Sequence, residues 1–157
     1  MNLEEVKQKM QVALDRLRER DNFLIQRNTN ERTITCKLAE YLQAEFPKLR
    51  VDCEYNRHGN EIKRLRVPRD DIDWDDTEAK TVFPDIVVHE RGNDENNLLV
   101  IEVKKSSNNQ NVQFDKNKLE AFTIEPYRYH FGLFLEISVN GLHDELIWYR
   151  NGRTINE

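Results

Sequence analysis

Apolar residues recur at intervals of three and four along the first 45 residues, which is the spacing of amphipathic helices. The first such segment runs from about Leu3 to Ile25, and the second runs from about Glu31 to Glu45. A polar break separates them, and Pro47 follows the second segment closely, as is common after a helix. We therefore predict two helices at the start of the chain.

The pattern changes to that of strands after residue 48. Residues 49–56 alternate between apolar and polar side chains, which predicts a half-exposed strand. Residues 130–137 and 145–150 are apolar runs that predict two further strands. Between them and the earlier strands, residues 112–123 have the spacing of a helix that crosses over a sheet and ends before Pro126.

Residues 84–104 predict an antiparallel hairpin, because two apolar runs flank a loop rich in Gly, Asn and Asp. The second run, Leu98–Lys104, is apolar on both faces, which is typical of a central strand covered above and below. Since side chains alternate along a strand, Leu98, Val100, Glu102 and Lys104 are expected on one face. An acid and a base thus interrupt an otherwise apolar surface.

The hairpin also predicts which residues lie opposite one another. A loop centred between Asn93 and Asp94 places Asp85 directly across from Glu102, with their side chains on the same face. Two carboxylates and the Lys104 ammonium would then converge. A shift of one residue in the register would instead send Asp85 to the other face, so the geometry of the site depends on this pairing.

Two carboxylates at such a distance cannot both ionise easily unless a cation lies between them. Oxygen ligands favour a hard divalent ion, here Mg2+ or Mn2+. Such an ion polarises a phosphoryl oxygen and lowers the pKa of a bound water, and Lys104 is placed to orient that water or to stabilise developing negative charge. This combination predicts metal-assisted hydrolysis of phosphodiester bonds.

Composition adds limits to this prediction. The 157 residues suit a single domain, and with 38% hydrophobic and 34% charged residues the chain has a globular composition. No apolar run approaches the length of a membrane span, so we expect a cytoplasmic protein. Cys36 and Cys53 are expected to be reduced thiols in the core. A net charge of −5 argues mildly against nucleic acid as the partner.

The residues Pro84-Asp85, followed after sixteen positions by Glu102-Val103-Lys104, resemble the signature of the PD-(D/E)XK, or restriction-endonuclease-like, nuclease superfamily. The predicted order of elements resembles that family's αβββαβ core, an α/β fold with a mixed central sheet flanked by helices, preceded here by an extra helix within residues 1–28. A Gln-x-x-x-Tyr motif after the crossover helix, found in the RecB-like subgroup, is not present.

The resemblance implies a Mg2+- or Mn2+-dependent nuclease, acting on DNA with RNA not excluded, and requiring no small-molecule cofactor. Asp85, Glu102 and Lys104 would be its catalytic residues. Asp85 and Glu102 would also hold the metal, with the carbonyl of Val103 and the carboxylate of Glu31 as further ligands. Glu31 is equally explained as a first-turn glutamate favoured by the helix dipole. A homodimer would provide two sites for cutting a duplex.

Residues 57–81 are not required by the family core and resemble an insertion. A basic block with Arg64 and Arg66 precedes an acidic run there, which is consistent with a DNA-contacting or gating loop or with a solvated excursion. Lys105, Lys116 and Lys118 are further candidates for contact with phosphate, or else solvated side chains.

Two alternatives to a nuclease stay open at this stage. The same fold would serve as a non-catalytic module that docks nucleic acid or protein. Alternatively, Glu102 and Lys104 form only a structural ion pair.

Overall fold

The computed structural model describes residues 1–55, 57–58, 61–62, 64–65, 80–81, 83–108, 110–141 and 143–155. Much of the predicted insertion, including Arg66, lies outside these ranges. Within them, no helix has both the length and the apolar composition needed to cross a membrane.

Three helices form at the positions that the apolar spacing predicts. They are α1 (Leu3–Gln26), α2 (Glu31–Glu45) and α3 (Val112–Phe122). Each begins at an asparagine whose side chain accepts a backbone N–H of the first turn, and at α1 the side chain of Glu5 completes a capping box with Asn2. Local sequence therefore sets the start of each helix.

In the part of the chain that the structure describes, six strands form one mixed sheet. In order across the sheet they are β1 (Arg50–Cys53), β6 (Ile86–His89), β7 (Leu99–Lys105), β8 (Phe131–Ile137), β9 (Glu145–Arg150) and β10 (Arg153–Thr154). Neighbouring strands are antiparallel except for β7 and β8, which α3 connects as a parallel pair. The α/β class with a mixed sheet flanked by helices is thus confirmed.

The predicted hairpin register is also confirmed. Ile86 pairs with Ile101, and Val87 pairs with Val100. Continued by one residue, this register places Asp85 opposite Glu102. The hairpin loop contains a one-turn 3-10 helix at Asp94–Asn96.

The two faces of the sheet bury different sets of side chains. On one face α1 and α2 pack over the odd-numbered residues of β7, such as Leu99 and Ile101, in a large apolar cluster. On the other face Val100 and the residues Leu119 and Phe122 of α3 form a smaller cluster with many aromatic rings. Glu102 follows Val100 in the alternation, so its side chain points toward α3.

Several sequence predictions differ from the structure. Leu98 precedes β7 and packs with the α1 and α2 cluster, not on the face of Glu102. Strand β1 is shorter than predicted, because the positive φ of 51° at Glu54 ends the extended backbone. Cys36 and Cys53 are free thiols, as expected, but both are exposed and neither belongs to the core.

The predicted insertion contains short strands that sequence patterning missed. Strand β2 (Arg57–His58) pairs with β3 (Glu61–Ile62), and β4 (Arg64–Leu65) pairs with β5 (Lys80–Thr81). Two-residue strands are too short to give a visible alternation in sequence.

Gly132 allows α3 to approach the sheet, and its replacement tests this packing. A Cβ added there would lie 3.1 Å from Tyr149 Cβ and 3.2 Å from Thr123 Cγ2. We predict that Gly132→Ala lowers the free energy of unfolding by about 1–3 kcal/mol and that Gly132→Val lowers it further, because overpacking forces neighbours apart. Urea unfolding measures both values. Two variants as stable as the wild type would contradict this view of the α3 contact.

Candidate functional site

Glu102 lies at the centre of the site. It occupies the middle of β7 and is only 1% exposed, because the strand is covered on both faces. Its Oε2 atom accepts a hydrogen bond from the Lys118 ammonium at 2.5 Å. Among the described residues, its Oε1 atom is buried and has no hydrogen-bond partner. A buried carboxylate oxygen without a hydrogen-bond partner lowers the stability of the protein unless a ligand binds it.

Asp85 is held against the neighbouring strand. It follows Pro84 and immediately precedes β6, is partly buried, and accepts the Val103 backbone N–H on Oδ2 at 2.7 Å. The carboxylate therefore takes the acceptor role that a backbone carbonyl has within the ladder, and its position is fixed relative to β7.

Two residues of α3 complete the site. Asp115 and Lys118 are three positions apart, so they lie on the same face of the helix, and both are buried. Asp115 pairs with Lys104 at 2.8 Å through Oδ2 and with Lys118 at 3.3 Å through Oδ1. We refer to Asp85, Glu102, Lys104, Asp115 and Lys118 as the charged cluster.

The pairing within the charged cluster differs from the Glu102–Lys104 ion pair that one alternative from the sequence assumed. Glu102 does not pair with Lys104, two residues along the same strand. It pairs with Lys118, while Lys104 pairs with Asp115. Both lysines of the cluster are thus bound to acids across the interface between β7 and α3.

Electrostatics within the cluster disfavour the charged form of both strand carboxylates. Burial raises the pKa of Glu102 well above its ordinary value, and the nearby Asp85 raises it further, against the opposing effect of Lys118. Burial also raises the pKa of Asp85, while the hydrogen bond from Val103 opposes this. Burial lowers the pKa of Lys118, but Glu102 and the other acids outweigh it and leave that pKa raised.

The net charge of the ionised cluster is negative, which favours a bound cation. Three carboxylates face two ammonium groups, so the fully ionised cluster carries one surplus negative charge. Among the described residues, no three His, Cys, Asp or Glu side chains are arranged as a ready metal-binding group. The donor set nevertheless suits Mg2+, which is usually held by one or two carboxylates together with water and phosphate oxygens.

Glu31 lies beside the charged cluster and has a structural contact of its own. Its Oε2 atom accepts the Lys105 backbone N–H at 2.9 Å and the Asn108 side-chain amide at 3.1 Å. These bonds join the first turn of α2 to the end of β7. Its negative charge is still close enough to contribute to the raised pKa of Asp85.

A cavity of about 350 Å³ gives access to Asp85. It lies between the start of α2 and the end of β1. Its lining residues are Asn30, Glu31, Arg32, Thr35, Cys36, Cys53, Glu54 and Asp85. At this cavity the exposed side chain of Arg32 pairs with Glu54 at 2.7 Å.

The lysines expected to contact phosphate are engaged within the protein. The ammonium of Lys105 donates to Thr29 O at 2.7 Å and to Asn28 Oδ1 at 2.8 Å. Lys116 lies 5.1 Å from the centroid of the Phe134 ring. Lys118 is neither solvated nor at the surface, since it is 7% exposed and bound to Glu102.

The contacts of the two candidate arginines, Arg64 and Arg66, lie outside the described part of the chain. The backbone of Arg64 forms part of β4, but its side chain and all of Arg66 lie outside the described residues.

Sequence reasoning missed the role of α3. Asp115, Lys118, Leu119 and Phe122 share one helical face, and Leu119 and Phe122 are plainly apolar. That spacing would have placed an acid and a lysine on the buried stripe of the helix. A buried charge pair facing the strand with Glu102 was therefore readable in principle.

Comparisons of this chain with family models, with curated proteins and with solved structures found no match. The function is therefore argued from the geometry and charge of the cluster.

The raised pKa of Asp85 predicts that replacing this residue with a neutral one stabilises the protein at pH values where Asp85 is ionised. Because the folded protein binds this proton more tightly than the unfolded chain, ionisation of Asp85 lowers stability as pH rises above about 3.9, the ordinary value for Asp. Asp85→Asn should be more stable than the wild type at pH 7 in EDTA and equally stable at pH 3. Urea unfolding at both values measures this, and a lower stability of Asp85→Asn at pH 7 would contradict it.

Proposed function

We propose that this chain is a metal-dependent nuclease that hydrolyses phosphodiester bonds, with DNA as the substrate favoured by the resemblance of its hairpin motif. The observation that carries the proposal is the register of β6 and β7, which, continued by one residue, places Asp85 opposite Glu102. It sets two carboxylates on one face, and one of them has an unpartnered buried oxygen. The surplus negative charge of the cluster supports a cation at this point.

Asp85 and Glu102 would hold Mg2+ or Mn2+ in this proposal. The bound ion would supply Lewis acidity and a water of lowered pKa. Val103 and Glu31 are secondary ligand candidates. Glu31 already accepts two hydrogen bonds on Oε2, which favours a contact through water over direct ligation.

Lys104 has the role of holding the attacking water or of stabilising negative charge on the phosphate. Its ammonium is 2.8 Å from Asp115, so α3 fixes the direction of a side chain that is otherwise flexible. Asp115 thereby acts as a positioning residue for Lys104.

The topology supports the same proposal. Helix α2, the strands β1, β6 and β7, helix α3 and strand β8 follow one another in the order of the restriction-endonuclease-like core. The parallel pairing of β7 with β8 beside the antiparallel β1, β6 and β7 fits that arrangement. Fold alone does not establish activity, and the charged cluster is the feature that supports it here.

One observation favours a second candidate, a non-catalytic module of the same fold. Lys118 already pairs with Glu102, and Lys104 already pairs with Asp115. A cluster that is largely neutralised by its own lysines can be stable without a metal. Such a module would bind nucleic acid or protein without cutting it.

Cleavage assays separate the two candidates. We predict that the protein cuts at least one of single-stranded, duplex or branched DNA, or RNA, in Mg2+ or Mn2+, and that EDTA abolishes the reaction. Lys104→Ala should lower the rate by about 10²–10⁴-fold, the usual contribution of a positioned proton-transfer group. Lys37→Ala, which removes an exposed ion pair with Glu40, is the matched control and should keep full activity.

If none of these substrates is cleaved at micromolar protein with Mg2+ or with Mn2+, the nuclease proposal is refuted. Substrate binding without cleavage, unchanged by EDTA, would instead favour the non-catalytic module. Circular dichroism of Lys104→Ala must show a folded protein for its loss of activity to count.

A further inference from the structure

Lys118 is buried and has more contacts than a single structural ion pair requires. It is buried on α3, and its ammonium contacts two acids of different elements, Glu102 on β7 at 2.5 Å and Asp115 on its own helix at 3.3 Å. The ring of Phe114, one turn earlier, lies 5.6 Å from the same nitrogen. The charge is thus surrounded by alternative partners.

We propose that Lys118 is a built-in counter-cation, which occupies the Glu102 carboxylate in the metal-free protein and moves fully onto Asp115 when a divalent ion binds. This inference rests on the proposed metal site. It assigns Lys118 a positioning role that the nuclease proposal does not require, since that proposal needs only Asp85, Glu102 and Lys104.

Lys118 supplies the counter-charge of the buried Glu102 carboxylate. A buried carboxylate with no counter-charge is strongly unfavourable, and neither Lys104 nor any other described cation contacts it. Lys118 therefore keeps the metal-free site folded. Only one of the two carboxylate oxygens is used, which leaves Oε1 available to a second cation.

Asp115 provides a second carboxylate that can receive the Lys118 ammonium. Leaving Glu102 would strand a buried ammonium unless another acid received it. Asp115 is already within 3.3 Å, so the move requires a small change in a flexible four-carbon side chain. Asp115 can accept both lysines because each uses a different carboxylate oxygen.

The Lys118 ammonium and a divalent ion would compete for the Glu102 carboxylate. An ammonium at Glu102 repels an incoming divalent ion, and inside a protein such repulsion is only partly screened. Metal affinity in the wild type is therefore lower than the two carboxylates alone would give. Removing the ammonium should strengthen metal binding while weakening the metal-free fold.

A double-mutant cycle in EDTA tests the role without metal. Lys118→Met should lower the urea midpoint of the wild type markedly, but it should lower the midpoint much less in a Glu102→Gln background, where no buried charge is left unpaired. Lys37→Met, on the exposed Lys37–Glu40 pair, is the control and should leave the midpoint nearly unchanged in both backgrounds. Equal losses for Lys118→Met in both backgrounds would overturn the inference.

Isothermal titration with Mn2+ tests the competition directly. Lys118→Met should bind Mn2+ about tenfold more tightly than the wild type or better, and Lys118→Gln should behave alike if Lys118→Met folds poorly. Asp115→Asn, which removes the second partner of Lys118, should bind Mn2+ more weakly. A merely structural lysine predicts unchanged or weaker binding in both Lys118 variants.

These outcomes separate the inference from the proposed function. Equal Mn2+ affinity in the wild type, Lys118→Met and Lys118→Gln overturns the counter-cation role and leaves the metal site standing. Failure of the wild type and of every variant to bind Mn2+ overturns the metal site and the inference with it.

Discussion

Burying one carboxylate in the middle of a sheet is the constraint on which this structure depends. Glu102 is 1% exposed on a strand that is apolar from Leu99 to Ile101, and its ionised form must be compensated from within. Compensation comes from Lys118, which belongs to a different element. The charged cluster therefore depends on the packing of α3 against the sheet.

Packing elsewhere in the structure holds α3 and β7 in place. Gly132 leaves space for α3, while Leu119 and Phe122 pack it against Val100 and its neighbours. On the opposite face, α1 and α2 bury the other side of β7. The charges are held close together because apolar packing on both faces fixes the strand and the helix.

Sequence predicted much of this, for identifiable reasons. Helix α2 begins and ends where its spacing indicates, and the symmetric loop predicted the Asp85–Glu102 register, because both depend on local pattern. The pairing of Lys104 with Asp115 was not predicted, since it depends on how α3 packs against β7. The left-handed backbone at Glu54 carries no side-chain signal and ended β1 early. Long-range contacts and special dihedrals are what local pattern does not encode.

The position of a bound ion tests the central claim most directly. Crystals grown with Mn2+ and measured at the manganese absorption edge would locate the metal from its anomalous scattering. We predict a single strong peak between the carboxylates of Asp85 and Glu102, with the Lys118 ammonium on Asp115. A map without a peak there, with Lys118 still bound to Glu102, would contradict the view that this buried carboxylate exists to hold a metal.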